Sequence, residues 1–369
     1  MRASSKQCAF LLLLTFSLII CILYGAFSEH AAGDSDEARD DDDERSWMFS
    51  TVAAEEEETV EAACSLRKGV RSDPILSKNF KFSGPVLQWA EGFSKPVWEQ
   101  LKDHAPPYGW KGLPVKVVGS AVSLLSSPRL FERSTPGRCV HCAVVGNGGI
   151  LRGSRQGKNI DSHDFVFRMN GAVIKGFEED VGTKVSFYGF TTNTLKHALR
   201  WYQRDGFTKI PQSPDIKYLF IPSDLRDYVM LTAAVTGQTV SSGRDKGDRP
   251  WMYFGHKPSE NFKILHPGFI SYVTHSFLPS RLLTDVRTRD LYMPSTGALM
   301  LLTAIHTCDQ VSAYGFMTRN YVAFSDHYYD SERRAVRFFA NHDLRMEAKL
   351  WEALHHRKVI KLYQRRTGS

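Results

Sequence analysis

The sequence predicts a doubly wound α/β domain, in which helices flank a mostly parallel sheet. Two observations lead to this prediction. Short apolar runs of strand length recur along the chain, and helical stretches separate them. Apolar strands that alternate with helices are typical of parallel sheets covered on both faces. Such a sheet binds its ligand at the carboxyl ends of its strands, so candidate functional residues are sought there.

Six apolar runs are predicted to form the strands. They are residues 140–146, 164–170, 185–190, 217–222, 261–266 and 311–316. Helices are predicted most clearly at 296–308 and 342–356, where apolar residues recur with helical spacing. No internal repeat or long Pro/Gly-rich linker interrupts the pattern after about residue 62. We therefore expect a single folded domain over residues 62–369.

A different kind of segment precedes this domain. Residues 8–27 are an uncharged apolar run of 20 residues. A helix of that length reaches about 30 Å, the thickness of the hydrocarbon core of a bilayer. Arg2 and Lys6 precede the run, and acidic residues follow it, which predicts a cytoplasmic tail at 1–7, a transmembrane signal-anchor at 8–27 and a lumenal remainder. A cleaved signal peptide is the alternative, but it requires a shorter apolar core and a small side chain where Tyr24 lies.

The chain has an acidic segment followed by a basic one. Residues 28–61 hold 14 acidic side chains against two arginines, with few large apolar residues, and are expected to form a disordered, solvated stem. The whole chain carries +7, residues 1–27 carry +2 and residues 28–61 carry −12, so residues 62–369 carry +17. This excess suits an anionic ligand. Nucleic acid would also suit this charge, but a lumenal domain rarely meets it, so an anionic small molecule is favoured and no nucleic-acid partner is expected.

Four cysteines, Cys64, Cys139, Cys142 and Cys308, fall in the predicted lumenal part. The pair at 139 and 142 has the CxxC spacing of zinc and redox sites. A zinc site would need a second close pair, and the other two cysteines are far apart. Two structural disulfides are favoured because the lumen is oxidising, and three pairings remain open.

A glycine-rich loop follows the first predicted strand. It reads VVGNGGILRGSRQG over residues 144–157, and it fits neither standard nucleotide motif. The dinucleotide fingerprint fails because Leu151 stands where a third glycine is needed, and the phosphate loop is one residue too short at 153–159. Asn147 can still present its amide to a ligand, and Asn170, at the end of another predicted strand, can lie beside it.

Two further segments carry groups that could take part in chemistry. Ser295 or Thr296 is a suitable N-cap for the apolar helix that follows, and the free N–H groups of a helix N-terminus can also bind an anion. His327 and His342 can act as a base or as a hydrogen-bond donor near neutral pH. The alternatives are that Ser295 or Thr296 only caps the helix, without binding an anion, and that both histidines are structural.

These segments, in this order, resemble the sialylmotifs of the eukaryotic sialyltransferase family. The large motif corresponds to residues 142–190, the small motif to 266–315, the third to His327–Asp330 and the very small HxxxxE motif to His342–Glu347. Within the family, sequences such as GNGGILRGSRQG and DKGDRP are most similar to the α-N-acetylgalactosaminide α-2,6-sialyltransferases, type 2 more than type 1.

The resemblance implies a Rossmann-like catalytic domain that transfers sialic acid from CMP-sialic acid, with inversion, to the 6-hydroxyl of GalNAc in mucin-type O-glycans. It also implies glycoprotein acceptors, no metal or other cofactor, and residence in the Golgi membrane as a single-pass type II protein with a lumenal catalytic domain. It leaves the oligomeric state open.

The resemblance further implies roles for individual residues. His342 would be the general base, and His327, helped by Tyr328, would donate to the departing phosphate. The CMP part of the donor would be held by Asn147, Asn170, Ser295, Thr296 and Gly297. Cys142 and Cys308 would form the family disulfide, which leaves Cys64 paired with Cys139. Asp330 stands where family members often have glutamate, so its role is open.

Overall fold

In the computed structural model, which describes residues 64–366 apart from 134, 136 and 290, seven strands form one entirely parallel sheet. The strands are β1 His141–Val145, β2 Phe165–Met169, β3 Phe187–Phe190, β4 Lys217–Phe220, β5 Phe262–Ile264, β6 Gln310–Tyr314 and β7 Lys361–Leu362. The six predicted strands are confirmed. The seventh was not predicted, because two residues are too short to produce a recognisable pattern.

Twelve α-helices lie in the described part of the chain. They are α1 Leu66–Ser72, α2 Leu76–Asn79, α3 Lys95–Leu101, α4 Val115–Val122, α5 Gly157–Asp161, α6 Glu178–Val181, α7 Thr192–Trp201, α8 Leu225–Thr236, α9 Trp251–Phe254, α10 Pro267–Phe277, α11 Thr296–Thr307 and α12 Leu344–His356. The predicted helix at 296–308 is confirmed. The other begins at Leu344 rather than at 342, since Asp343 caps it by accepting the Met346 N–H at 3.1 Å.

Helices cover both faces of the sheet. Alternate residues of β1 point to opposite sides, with Ala143 and Val145 in one apolar core and Cys142 and Val144 in the other. Helices α4, α7 and α8 contribute to the first core, and α10 and α11 to the second. Because neither face meets water, the strands are mainly apolar, as predicted, although Arg168 in β2 and Lys263 in β5 are charged.

The strand order, β5-β4-β3-β2-β1-β6-β7, places the topological switch point between β1 and β6. Their carboxyl ends approach closely: the Gly146 N–H donates to the Tyr314 carbonyl at 2.8 Å, and the Gly148 N–H donates to the Gly315 carbonyl at 2.9 Å. A Cβ atom on Gly146 would lie 2.7 Å from the Gly315 oxygen, so only glycine fits here. The crevice outside this point is where a doubly wound sheet binds its ligand.

Both disulfides expected from the resemblance are present. Cys142, in β1, is bonded to Cys308 at the end of α11, and Cys64 is bonded to Cys139. The predictions for residues 1–7, 8–27 and 28–61 lie outside the described residues. No described helix is long and apolar enough to cross a membrane.

Candidate active site

A cleft of about 1180 Å³ opens at the switch point, on the carboxyl side of β1, β2 and β6. It brings together seven of the eight residues that the sequence predicted for the donor site and for catalysis. They are Asn147, Asn170, Ser295, Thr296, Gly297, His327 and His342. These residues come from loops and helix ends far apart in sequence, and the parallel sheet gathers them because its carboxyl ends share one edge.

The two asparagines lie after neighbouring strands. The Asn147 amide donates to the Met169 carbonyl at 3.2 Å, so that it is held beside the end of β2. Asn170 has a left-handed backbone, with φ of 50°, and its carbonyl accepts the Tyr188 hydroxyl. Its side-chain oxygen is buried and has no partner in the described part of the chain. A buried acceptor of this kind at a cleft is suited to a donor group on a ligand.

The N-terminus of α11 supplies hydrogen-bond donors to the same cleft. Ser295 is the N-cap, and its hydroxyl accepts the Ala298 N–H at 3.0 Å, as predicted. The helix itself offers no acceptor to the N–H groups of Thr296 and Gly297. With the positive end of the helix dipole, these two groups can hold a phosphate.

Glu347 has a role that sequence reasoning did not assign. Its carboxylate accepts the Ser295 N–H at 2.9 Å and the Ser295 hydroxyl at 2.6 Å, so it joins α12 to the N-terminus of α11. The side chain is 3% exposed, and burial raises its pKa to about 7. The hydroxyl and N–H of Ser295 are therefore already engaged within the protein. No sequence signal links two residues 52 positions apart except their shared membership of the motifs.

His342 lies just before α12, and a contact of its ring shows which of the two nitrogens carries the proton. Nδ1 lies 2.6 Å from the Met293 carbonyl, which can only accept a hydrogen bond, so Nδ1 carries a proton. In the neutral ring Nε2 then has the lone pair and can act as a base. Burial lowers the pKa of His342, although bonds to backbone carbonyls oppose this effect. The neutral, basic form is therefore favoured.

His327 is held by aromatic rings and by carboxylates. Its ring stacks on Tyr329 with centroids 4.9 Å apart and meets the edge of Tyr202 at 5.1 Å. Nδ1 lies 3.6 Å from Asp330 and 3.7 Å from Asp326. Because both carboxylates lie on the Nδ1 side, they orient the ring so that Nε2 is on the side away from them.

Asp330, whose role the sequence left open, is buried. Its carboxylate accepts the backbone N–H of His327 at 2.8 Å and the Ser325 hydroxyl. Burial alone would raise the pKa of Asp330, but these bonds and the adjacent His327 ring outweigh it and lower the pKa. Asp330 thus holds both the backbone and the ring of His327 in position.

Tyr328 lies apart from the other seven residues. The resemblance implied that it helps His327 at the departing phosphate, but its ring is 1% exposed and its hydroxyl donates to the Val173 carbonyl. The side chain does not line the cleft. Tyr328 contributes instead through its backbone N–H, which donates to the Asn147 carbonyl at 3.0 Å and fixes the glycine-rich loop.

The cleft contains two aspartate or glutamate side chains, Asp326 and Glu347. Over residues 64–366, the undescribed positions aside, no three His, Cys, Asp or Glu side chains are grouped so that they could hold a metal ion.

The fold and the cleft together define an α/β enzyme of the nucleotide-binding kind, equipped with an anion site and two histidines. The chain belongs to glycosyltransferase family 29, the sialyltransferases, whose profile matches residues 87–359. It is 57% identical over 306 residues to human alpha-N-acetylgalactosaminide alpha-2,6-sialyltransferase 2, covering 81% of this chain and 82% of that protein.

The corresponding human type 1 protein is 43% identical over 288 residues, covering 74% of this chain and 47% of that protein. The predicted similarity to type 2 over type 1 is confirmed. A mammalian sialyltransferase crystallised in complex with Gal-beta-1-3GalNAc-ortho-nitrophenol has a TM-score of 0.55 and 25% identity, covering 80% of this chain and 96% of that one.

Proposed function

We propose that this protein transfers sialic acid from CMP-sialic acid to the 6-hydroxyl of GalNAc in the mucin-type O-glycans of glycoproteins. One observation supports this most strongly: a histidine with a basic Nε2, a helix N-terminus and a second oriented histidine line one cleft at the switch point. The names of the two α-N-acetylgalactosaminide relatives suggest the same acceptor and linkage.

The reaction follows from these groups. Nε2 of His342 takes the proton of the acceptor 6-hydroxyl as its oxygen forms a bond to C2 of sialic acid. The bond from C2 to the phosphate oxygen breaks on the opposite face, so the configuration inverts, and CMP leaves with the electron pair. The N–H groups of Thr296 and Gly297, together with His327, stabilise the charge that develops on the phosphate. No metal or other cofactor is required, since the departing group is a monophosphate.

Donor binding also uses the two asparagines. The unpartnered side-chain oxygen of Asn170 accepts a hydrogen bond from the cytosine or the ribose of CMP, and Asn147 positions the adjoining loop. The excess of positive charge on residues 62–369 attracts an anionic sugar nucleotide.

The proposed location is the Golgi membrane, with residues 1–7 in the cytosol, 8–27 as a single-pass type II anchor and 28–61 as the stem. Two disulfides in the domain are consistent with an oxidising lumen. Microscopy should find the full chain in the Golgi, and a version that begins at residue 62 behind a cleavable secretion signal should be soluble and active when secreted. Golgi retention of the shortened chain would contradict the assignment of the anchor.

The test of activity is transfer of labelled sialic acid from CMP-sialic acid to a panel of defined O-glycopeptides, with linkage analysis of the product. We expect an α-2,6 bond to GalNAc. Transfer to another position would overturn the proposed linkage. Binding of the glycopeptides without any transfer would indicate a glycan-binding protein instead.

A further inference from the structure

One face of α7 lines the cleft but has no part in the proposed donor site. Asn193, His197 and Trp201 lie four residues apart and therefore share one side of the helix. Arg200 and Arg204 also line the cleft, the latter just beyond the helix end. These five residues are together called the α7 face.

Trp201 is the largest apolar group on the α7 face, and it is 50% exposed. Its ring stacks on His197, with centroids 4.5 Å apart and planes 18° from parallel. The stack holds the indole in one orientation, so a ligand does not have to order it. The face of an aromatic ring carries partial negative charge and attracts the C–H groups on the apolar side of a hexose.

An ion network centred on the buried Asp245 holds Asn193 and the helix in place. The guanidinium of Arg226 donates to the Asn193 side-chain oxygen at 2.9 Å and also binds Asp245, which Lys196 binds as well. Asp245 is 5% exposed. Because the oxygen of Asn193 is engaged, its amide N–H₂ remains to donate to hydroxyl groups in the cleft.

The two arginines add positive charge at the rim. Arg200 and Arg204 are exposed, and neither forms an ion pair with a described residue. Neighbouring Arg334 differs, since it lies 3.7 Å from Asp205 and 3.5 Å from Asp330. Arg200 and Arg204 are therefore available to an acidic group on a ligand.

The α7 face lies beside the reacting groups and outward from them. Tyr202, the residue after Trp201, meets the His327 ring and packs against Gly171, next to Asn170. The cleft volume of about 1180 Å³ exceeds the roughly 300–1,000 Å³ typical of sites for one small ligand, which leaves room for a second substrate. A substrate that arrives from outside meets the half-exposed Trp201 at the rim.

We propose that the α7 face is the acceptor subsite. The Trp201–His197 stack binds the apolar side of a hexose ring of the O-glycan, Asn193 donates to its hydroxyls, and Arg200 and Arg204 attract an acidic group on the same glycan. This inference rests on the proposed function, and it identifies the residues that select its acceptor.

The test compares the full-length wild-type chain with Trp201→Ala, Trp201→Phe and His197→Ala. Acceptor KM, donor KM and melting temperature are measured with a Gal-β1,3-GalNAc glycopeptide, and its affinity in the presence of CMP is measured by calorimetry. We expect Trp201→Ala to raise acceptor KM about 3- to 10-fold, with donor KM unchanged and a smaller effect for Trp201→Phe.

His197→Ala, which leaves the indole unsupported, gives a second measurement if Trp201→Ala does not fold. Met252→Ala is the matched control, because Met252 is 70% exposed and lies outside the cleft.

The arginines are tested with a neutral glycopeptide and its sialylated form. Replacing Arg200 and Arg204 by glutamine should reduce kcat/KM for the sialylated acceptor about 2- to 10-fold more than for the neutral one. Equal losses for the two acceptors would overturn their role.

The remaining outcomes separate the subsite from the proposed function. Unchanged acceptor KM in both Trp201→Ala and His197→Ala, or a rise in donor KM alone, overturns the subsite while the transferase activity stands. A wild-type chain that transfers nothing, yet binds the glycopeptide more tightly than Trp201→Ala does, supports the subsite and overturns the transferase. Absence of both transfer and binding overturns both.

Discussion

Replacing Glu347 by glutamine should remove a pH dependence from the stability of the domain. Burial raises the pKa of Glu347 from 4.5 to about 7. The folded chain thus holds this proton more tightly than the unfolded chain does, so the stabilisation is complete below pH 4.5 and is lost as the pH rises through about 7. The difference corresponds to about 3 kcal/mol. Glutamine retains the shape and can pair its oxygen with the Ser295 N–H and its N–H₂ with the Ser295 hydroxyl, but it carries no charge.

The measurement is the melting temperature of both proteins at pH 5 and pH 8. Other titrating groups are common to the two chains, so their effects largely cancel in the difference. At about 2 °C per kcal/mol for a domain of this size, the advantage of wild type over Glu347→Gln should shrink by about 5 °C between pH 5 and pH 8. Glu332→Gln, at an exposed carboxylate, is the control and should show no such change. A difference that is the same at both pH values would show that Glu347 does not titrate between them.

Three further predictions concern the site and its scaffold. His342→Ala should lower kcat about 10²–10⁴-fold while the chain still melts normally and binds CMP, whereas His327→Ala should weaken CMP binding as well. Because burial lowers the pKa of His342, the ring stays neutral to lower pH, and the acid limb of the kcat/KM profile should lie below pH 6.5. A limb above pH 6.5 would exclude His342 as the base. Cys308→Ser opens a disulfide between residues 166 positions apart and should cost about 4–5 kcal/mol in denaturant unfolding, unless peptide mapping finds Cys142 and Cys308 already free. Transfer should be undiminished in excess EDTA, and a requirement for added manganese would contradict the proposed electrostatics.

The strands and the general place of the site follow from the sequence. An apolar run such as residues 140–146 indicates a buried strand by its local composition, and the loop after it is placed by the geometry of any parallel sheet. The seven residues that line one cleft were implied by the resemblance of segments 142–190, 266–315, His327 and His342 to the family motifs. The N-cap at Ser295 was also predictable, because capping depends on residues within one helical turn.

Only the tertiary structure decided which neighbours each side chain meets. Tyr328 turns into the core while His327, one residue earlier, faces the cleft, and their composition gives no sign of this. The proton on Nδ1 of His342 depends on the Met293 carbonyl, and the carboxylate of Glu347 reaches Ser295 from another helix. The α7 face likewise became visible only when the helix was placed at the rim of the cleft. Contacts between residues distant in sequence depend on how whole elements pack, and local spacing carries no information about that packing.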